Sequence, residues 1–213
     1  MQRERVVVLG GGGHAKVVID ILQAMNCYEI IGFTSFGYTA KEMYGVSYLG
    51  GDEIITSLVP DQADSFIVAV GNNILRKKLF DWCLELGLQP INAISPFSYI
   101  SPYASLGKGI VVAPGVAIHP DSKIQDNVII NTNASVDHDC FIGSHAHIAP
   151  GVTLTGNVNV NEGVMLGAKT VVIPGKSIGS WATVGAGAAV ITDIQPNCTV
   201  VGVPAKNLIE GEC

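Results

Sequence analysis

The stretch VDHDCFIGSHAH, residues 136–147, holds three of the chain's five histidines, and the first, His138, stands between Asp137 and Asp139. Imidazole titrates near pH 6.5, so a histidine beside a carboxylate is equipped to take a proton from an attacking amine or hydroxyl. The carboxylate would orient the ring and stabilise the imidazolium. His145 and His147, with His138 and one aspartate, could instead be metal ligands. All three could also be polar decoration on a repeat. The choice turns on the elements that hold them.

Those elements follow a period of six. Every sixth residue from Ile94 to Val190, seventeen positions without a slip, is Leu, Ile or Val. This is the hexad of a parallel β-helix, each hexad supplying one short strand and a corner, with the aliphatics stacked in a shared core. The period excludes amphipathic helices, and the many glycines and prolines suit corners.

The repeat resembles that of the hexapeptide acyltransferases, in which three hexads close one coil of a left-handed, three-sided prism. Residues 18 apart then stack at about the 4.8 Å strand spacing. Two positions after each aliphatic lies a corner. One corner column reads Pro102, Pro120, His138, Gly156, Pro174. Proline suits such a site because it needs no donor. The departure at His138 and Gly156 sets a base beside an exposed backbone N–H, the parts of an oxyanion site. A second column reads Pro96, Pro114, Thr132, Pro150, Ala168, Ala186 and opens room at its two alanines, with His147 on the outer face just before it. A face is about 15 to 20 Å long, so His138 and His147 are expected to meet only where a neighbouring subunit brings its second edge to the first. A closed oligomer with sites between subunits is predicted. The metal set is disfavoured, because its histidines occupy different parts of different hexads. His145 reads as a solvated corner residue, His119 as structural, and Cys140 as core rather than nucleophile.

Residues 1–90 read differently, as a small Rossmann-like α/β domain ahead of the β-helix domain at 91–213. RVVVLG, EIIGFT and FIVAVG read as strands, KVVIDILQAM and NILRKKLFDWCLELG as helices, and alternation implies a parallel sheet. Gly10, Gly12 and Ala15 fit G-x-G-x-x-A between strand and helix, where backbone can approach phosphate. The acid expected about 20 residues on for a redox dinucleotide is absent from the second strand end, IGFTSF, and the domain is small. A nucleoside-diphosphate sugar fits better.

Composition bounds the rest. A net charge of −6 argues against nucleic acid. No apolar run of about 18 residues could cross a bilayer, and MQRERVVVLG does not read as a signal peptide. Cys27, Cys83, Cys140, Cys198 and Cys213 are scattered without a C-x-x-C pair, which reads as reduced thiols in the cytoplasm.

From VVVLGGGGHAKVV through AVGNNILRKKL to VDHDCFIG, HIAPGVTLTGNV and VGVPAKNL, the chain resembles the bacterial sugar acetyltransferases of the PglD/NeuD type. The resemblance implies acetyl transfer from acetyl-CoA, without a metal, to the amino group of a nucleotide-linked amino-dideoxysugar, in a cytoplasmic homotrimer of polysaccharide biosynthesis. It implies His138 as general base with Asp139 raising its basicity, and coenzyme contacts at His147, Ala168 and Ala186. Gly12, Gly13, His14 and Gly71 would hold the nucleotide sugar. UDP-binding members carry acids where this chain has Thr34 and Ser35, so UDP, dTDP and GDP stay open. Two alternatives stand beside this reading: O-acetylation of a sugar of the sialic acid type, and a non-catalytic scaffold that binds a nucleotide sugar.

Overall fold

A computed structural model describes residues 3–59 and 61–208. The chain forms two compact units, Met1–Pro96 and Phe97–Cys213. In the first, β1 (Glu4–Leu9) leads through a glycine turn to α1 (Gly13–Met25) and β2 (Tyr28–Thr34). A hairpin of β3 (Glu42–Met43) and β4 (Val46–Gly50) follows, then a 3-10 turn at Asp52–Ile54 and the short α2 (Ile55–Leu58). β5 (Ser65–Val68), α3 (Asn73–Glu85) and β6 (Gln89–Pro90) complete the unit. The sheet order is β3-β4-β2-β1-β5-β6, parallel except for β3.

The unbroken apolar run of β1 marks a central strand covered on both faces. Val7 and Leu9 pack with Phe66, Phe80 and Cys83 in one core. Val6 and Val8 serve the opposite face, where α1 packs on β1 and β2 and buries Val18, Ile19 and Leu22. Strand order reverses at β1, between β2 and β5, and the carboxyl ends of β1, β2 and β5 meet there. Crevices at such a switch point are where open α/β sheets bind ligands. The β3–β4 hairpin and α2 have no counterpart in the sequence reading. Tyr44 and Gly45 both have positive φ, 52° and 77°, the two-residue turn that matches strand twist, and only the glycine advertised it.

In the second unit each aliphatic of the hexad closes a two-residue strand. Ser135–Val136 pairs with Ala117–Ile118 on one side and Thr153–Leu154 on the other, 18 residues away in each direction. Three such faces stack as a parallel β-helix. From Val112 to Val190 no hexad aliphatic is more than 1% exposed. From Leu106 to Val184 the corners follow one rule. Three positions after the aliphatic the backbone is left-handed, as at Asn127, Asn133, Asp139, His145 and Gly163. Glycine, asparagine and aspartate tolerate that conformation best. The preceding position contributes no N–H to the coil-to-coil ladder, which is why proline recurs there. After Val190 the hexad lapses, and Thr199–Val201 pairs with Thr183–Val184 before Lys206–Asn207 turns back along it.

One expectation changes. Cys27, Cys83 and Cys140 are free thiols, but Cys198 is disulfide-bonded, so the thiols are not all reduced. Spacing in sequence carries no information on which cysteines the fold brings together. Cys213 lies outside the described residues. No described helix is long and apolar enough to cross a membrane.

Candidate active site

The Asp139 backbone, at φ 59°, swings its carboxylate back alongside the preceding residue. His138 Nδ1 and Asp139 Oδ2 lie 2.7 Å apart. The neighbouring Asp137 does separate work: its Oδ1 accepts the His138 backbone N–H at 2.8 Å, satisfying the donor that the ladder omits. With Nδ1–H donated to Asp139, the lone pair of the ring sits on Nε2. The hydrogen bond to Asp139, opposed by desolvation and aided by the charges of Asp137 and Asp139, holds the imidazole above its ordinary pKa. A stronger base results, still solvent-exposed.

One coil on, Gly156 lies under this ring. A Cβ there would stand 2.6 Å from His138 Nε2 and Cε1, so only glycine leaves the imidazole its place. The Asn157 N–H donates to the His138 carbonyl at 2.9 Å and fixes the two corners together. Among the described residues nothing accepts from the Gly156 N–H. Base, carboxylate and spare backbone donor therefore share one edge. Cys140, 1% exposed, is core: burial raises its thiol pKa, and its Sγ donates to the Thr155 carbonyl at 3.2 Å.

The other two histidines lie elsewhere. His145 is not solvated: it is 6% exposed, and its Nδ1 lies 2.9 Å from Asn127 Nδ2 on the coil below. A left-handed corner residue stacks along the helix axis instead of pointing away from it. His147 occupies a strand on another face, between Ile129 and Met165, with Nε2 3.3 Å from Asn131 Nδ2. Asparagines stand where a metal site would need acids. Beyond His147, Ala168 is half-buried and Ala186 exposed, and among the described residues neither N–H has a backbone acceptor.

In the first unit a cleft of about 370 Å3 opens at the carboxyl ends of the strands, lined by Gly10–His14, Ser35, Phe36, Asp52 and Ala69–Gly71 among others. The four glycines divide the work. A Cβ at Gly10 would meet the Ala69 carbonyl at 2.7 Å, and one at Gly11 would meet the Ser35 side chain at 2.6 Å, so these two let strands approach. Gly12 and Gly13 face nothing within 4 Å. Gly12 is also the N-cap of α1, with no side-chain cap and no acid in the first turn, which leaves the helix terminus receptive to an anion. On the far wall Arg76 donates to the Val70 and Gly71 carbonyls, both at 3.2 Å, and braces the turn carrying Gly71.

The first unit matches the model of the PglD N-terminal domain over residues 5–83, and residues 121–156 match that of the bacterial transferase hexapeptide, six repeats. The acetyltransferase domain of PglB from Neisseria gonorrhoeae FA1090, solved with acetyl coenzyme A, is 36% identical. It superposes with a TM-score of 0.92 over 97% of this chain and 100% of that one. The chain belongs to the PglD/NeuD-like sugar acetyltransferases. PerB from Caulobacter crescentus, solved with CoA and GDP-perosamine, is 41% identical over 95% of this chain and 96% of its own, with a TM-score of 0.91. WeeI from Acinetobacter baumannii AYE, 26% identical, covers 96% of this chain and all of its own at 0.87.

This PglD/NeuD-like chain departs from the sequence reading at its second strand end. Thr34 is wholly buried, and its hydroxyl donates to Asp52 Oδ1 at 2.5 Å instead of facing the cleft. The acid missing from IGFTSF thus arrives from the 3-10 turn that follows β4, the strand beside β2. Asp52 and Phe36 are among the cleft residues that the sequence reading missed. Asp52 has a signal after the fact, a second strand-glycine-acid run at YLGGD.

Proposed function

We propose that the protein transfers the acetyl group of acetyl-CoA to the amino group of a nucleotide-linked amino-dideoxysugar. The observation carrying this is the His138–Asp139 pair, 2.7 Å apart over Gly156. It stands in a chain whose relatives, similar along nearly their whole length, bind acetyl coenzyme A or CoA with GDP-perosamine. The sugar amine attacks the thioester carbonyl carbon, and His138 Nε2 takes the proton that the nitrogen sheds. Negative charge gathers on the carbonyl oxygen, and the N–H of Gly156 is the donor assigned to it. Collapse breaks the C–S bond, and the imidazolium returns its proton to the departing thiolate. The products are the N-acetyl sugar and CoA, and no enzyme-bound acyl group forms.

Ala168 and Ala186, with their unused N–H groups, and His147, oriented by Asn131, are assigned to the coenzyme. Gly12, Gly13, His14, Ser35 and Gly71 are assigned to the nucleotide sugar. The functional assembly is a homotrimer sharing sites between subunits. Support comes from Val171, Ile173 and Ile191, exposed apolar residues on the coils above the His138 corner. His138→Ala, assayed for CoA release with a panel of nucleotide amino sugars, should lower kcat by roughly 10²- to 10⁴-fold with the fold intact. Turnover near wild type would remove His138 from the mechanism. Release only with hydroxyl acceptors would shift the reaction to O-acetylation.

A further inference from the structure

Resting on the nucleotide-sugar reading, we propose that Asp52 reads the ribose, and that the chain prefers a ribonucleoside diphosphate sugar to its 2′-deoxy counterpart. In a parallel sheet whose first turn holds a pyrophosphate, the ribose falls beside the carboxyl end of β2, where an acid accepts its hydroxyls. Here that end is Thr34, 0% exposed and unable to reach a ligand. Its hydroxyl holds Asp52 Oδ1 at 2.5 Å, so a carboxylate stands one hydrogen bond from the β2 end although it belongs to the turn after β4. Among the described residues Asp52 Oδ2 accepts nothing, and the cleft lining contains no lysine or arginine to neutralise it.

The chemistry of the ligand selects the ribose. An ionised carboxylate is an acceptor only, so it repels phosphate and requires donors. The vicinal 2′ and 3′ hydroxyls of ribose offer two adjacent O–H groups. The phosphate end is fixed next door: the Gly10 N–H donates to the Thr34 carbonyl at 2.9 Å, and Gly11 abuts Ser35. Beyond Ser35, Phe36 lines the same cleft and is 99% exposed, a flat apolar face on which a base can stack.

Calorimetric titration with GDP and 2′-deoxy-GDP, and with UDP and 2′-deoxy-UDP, tests this without knowledge of the sugar. Within each pair the ribonucleotide should bind roughly ten- to a hundredfold more tightly, the worth of one hydrogen bond to a charged acceptor. Asp52→Asn keeps an oxygen for Thr34 but loses the charge, and should shrink that ratio; Asp52→Ala should bring it to within about twofold. Equal binding of the ribo and deoxy forms by the wild type, or a ratio unchanged in both variants, overturns the assignment while leaving acetyl transfer standing. If none of the four binds but dTDP does, the assignment falls alone; if dTDP fails as well, it falls together with the nucleotide-sugar reading.

Discussion

At His138, in the proposed mechanism, a single proton decides whether the site works, and Asp139 controls it. The ring must be neutral to accept from the amine, so the competent fraction rises as pH climbs through the imidazole pKa. Asp139 holds that pKa above its ordinary value by its hydrogen bond. Asp139→Asn removes the charge, lets the pKa fall back, and should move the acidic limb of the kcat/KM profile to lower pH. The plateau should drop as well, because the imidazolium formed during attack loses its partner. A limb that stays in place while the rate falls would show Asp139 to be only a corner residue. Its left-handed backbone gives it a structural reason to be aspartate in any case. Asp137 is not a spare for it, being committed to the His138 backbone N–H.

At the scale of the coil, two glycines make opposite predictions for the same substitution. Gly156→Ala adds a methyl 2.6 Å from the His138 ring, at a backbone conformation that alanine accepts. The exposed ring can swing away, so the melting temperature should stay near wild type while kcat collapses. Gly163→Ala adds its methyl 2.3 Å from the Trp181 ring and at φ 68°. Left-handed strain alone costs alanine about 1 to 2 kcal/mol. This variant should lose several degrees of melting temperature, read by thermal unfolding, and keep kcat in the folded fraction. The reverse pattern would mean that the corner columns have been misjudged. The hexad made the strands and corners readable in advance, since seventeen aliphatics keep one phase. With the three hexads per coil that the resemblance implies, it also brought His138 over Gly156. What it hid was direction at the corners. Left-handed backbone at Asp139 and His145 determines where those side chains lie, and dihedral angles leave only a faint trace in residue type, so His145 was read as solvated. Asp52 was hidden for another reason: its link to Thr34 joins the ends of two paired strands 18 residues apart in sequence, and the YLGGD run marks it only once that pairing is known.

For the whole molecule the question is what covers the apolar strip beside the catalytic edge. Val171, Ile173 and Ile191 are 42%, 37% and 46% exposed and continue the face and corner that carry His138. Patches of this kind on a polar-rimmed surface mark association sites. His147 stands on a different face of the same prism, so under the proposed mechanism one chain offers the base on one edge and the coenzyme contact on another. Closed cyclic assembly solves both problems, because each copy then supplies its second edge to the first edge of the next. Two inactive variants can therefore rescue each other. His138→Ala and His147→Ala, each inactive alone, should regain activity when co-expressed in equal amounts, to roughly a quarter of wild type, the chance that a random interface joins two intact halves. Ile173→Glu should break the assembly by light scattering and abolish turnover in the same step. If the mixed sample stays inactive while forming the same oligomer, each site is built from a single chain, and the strip serves association alone.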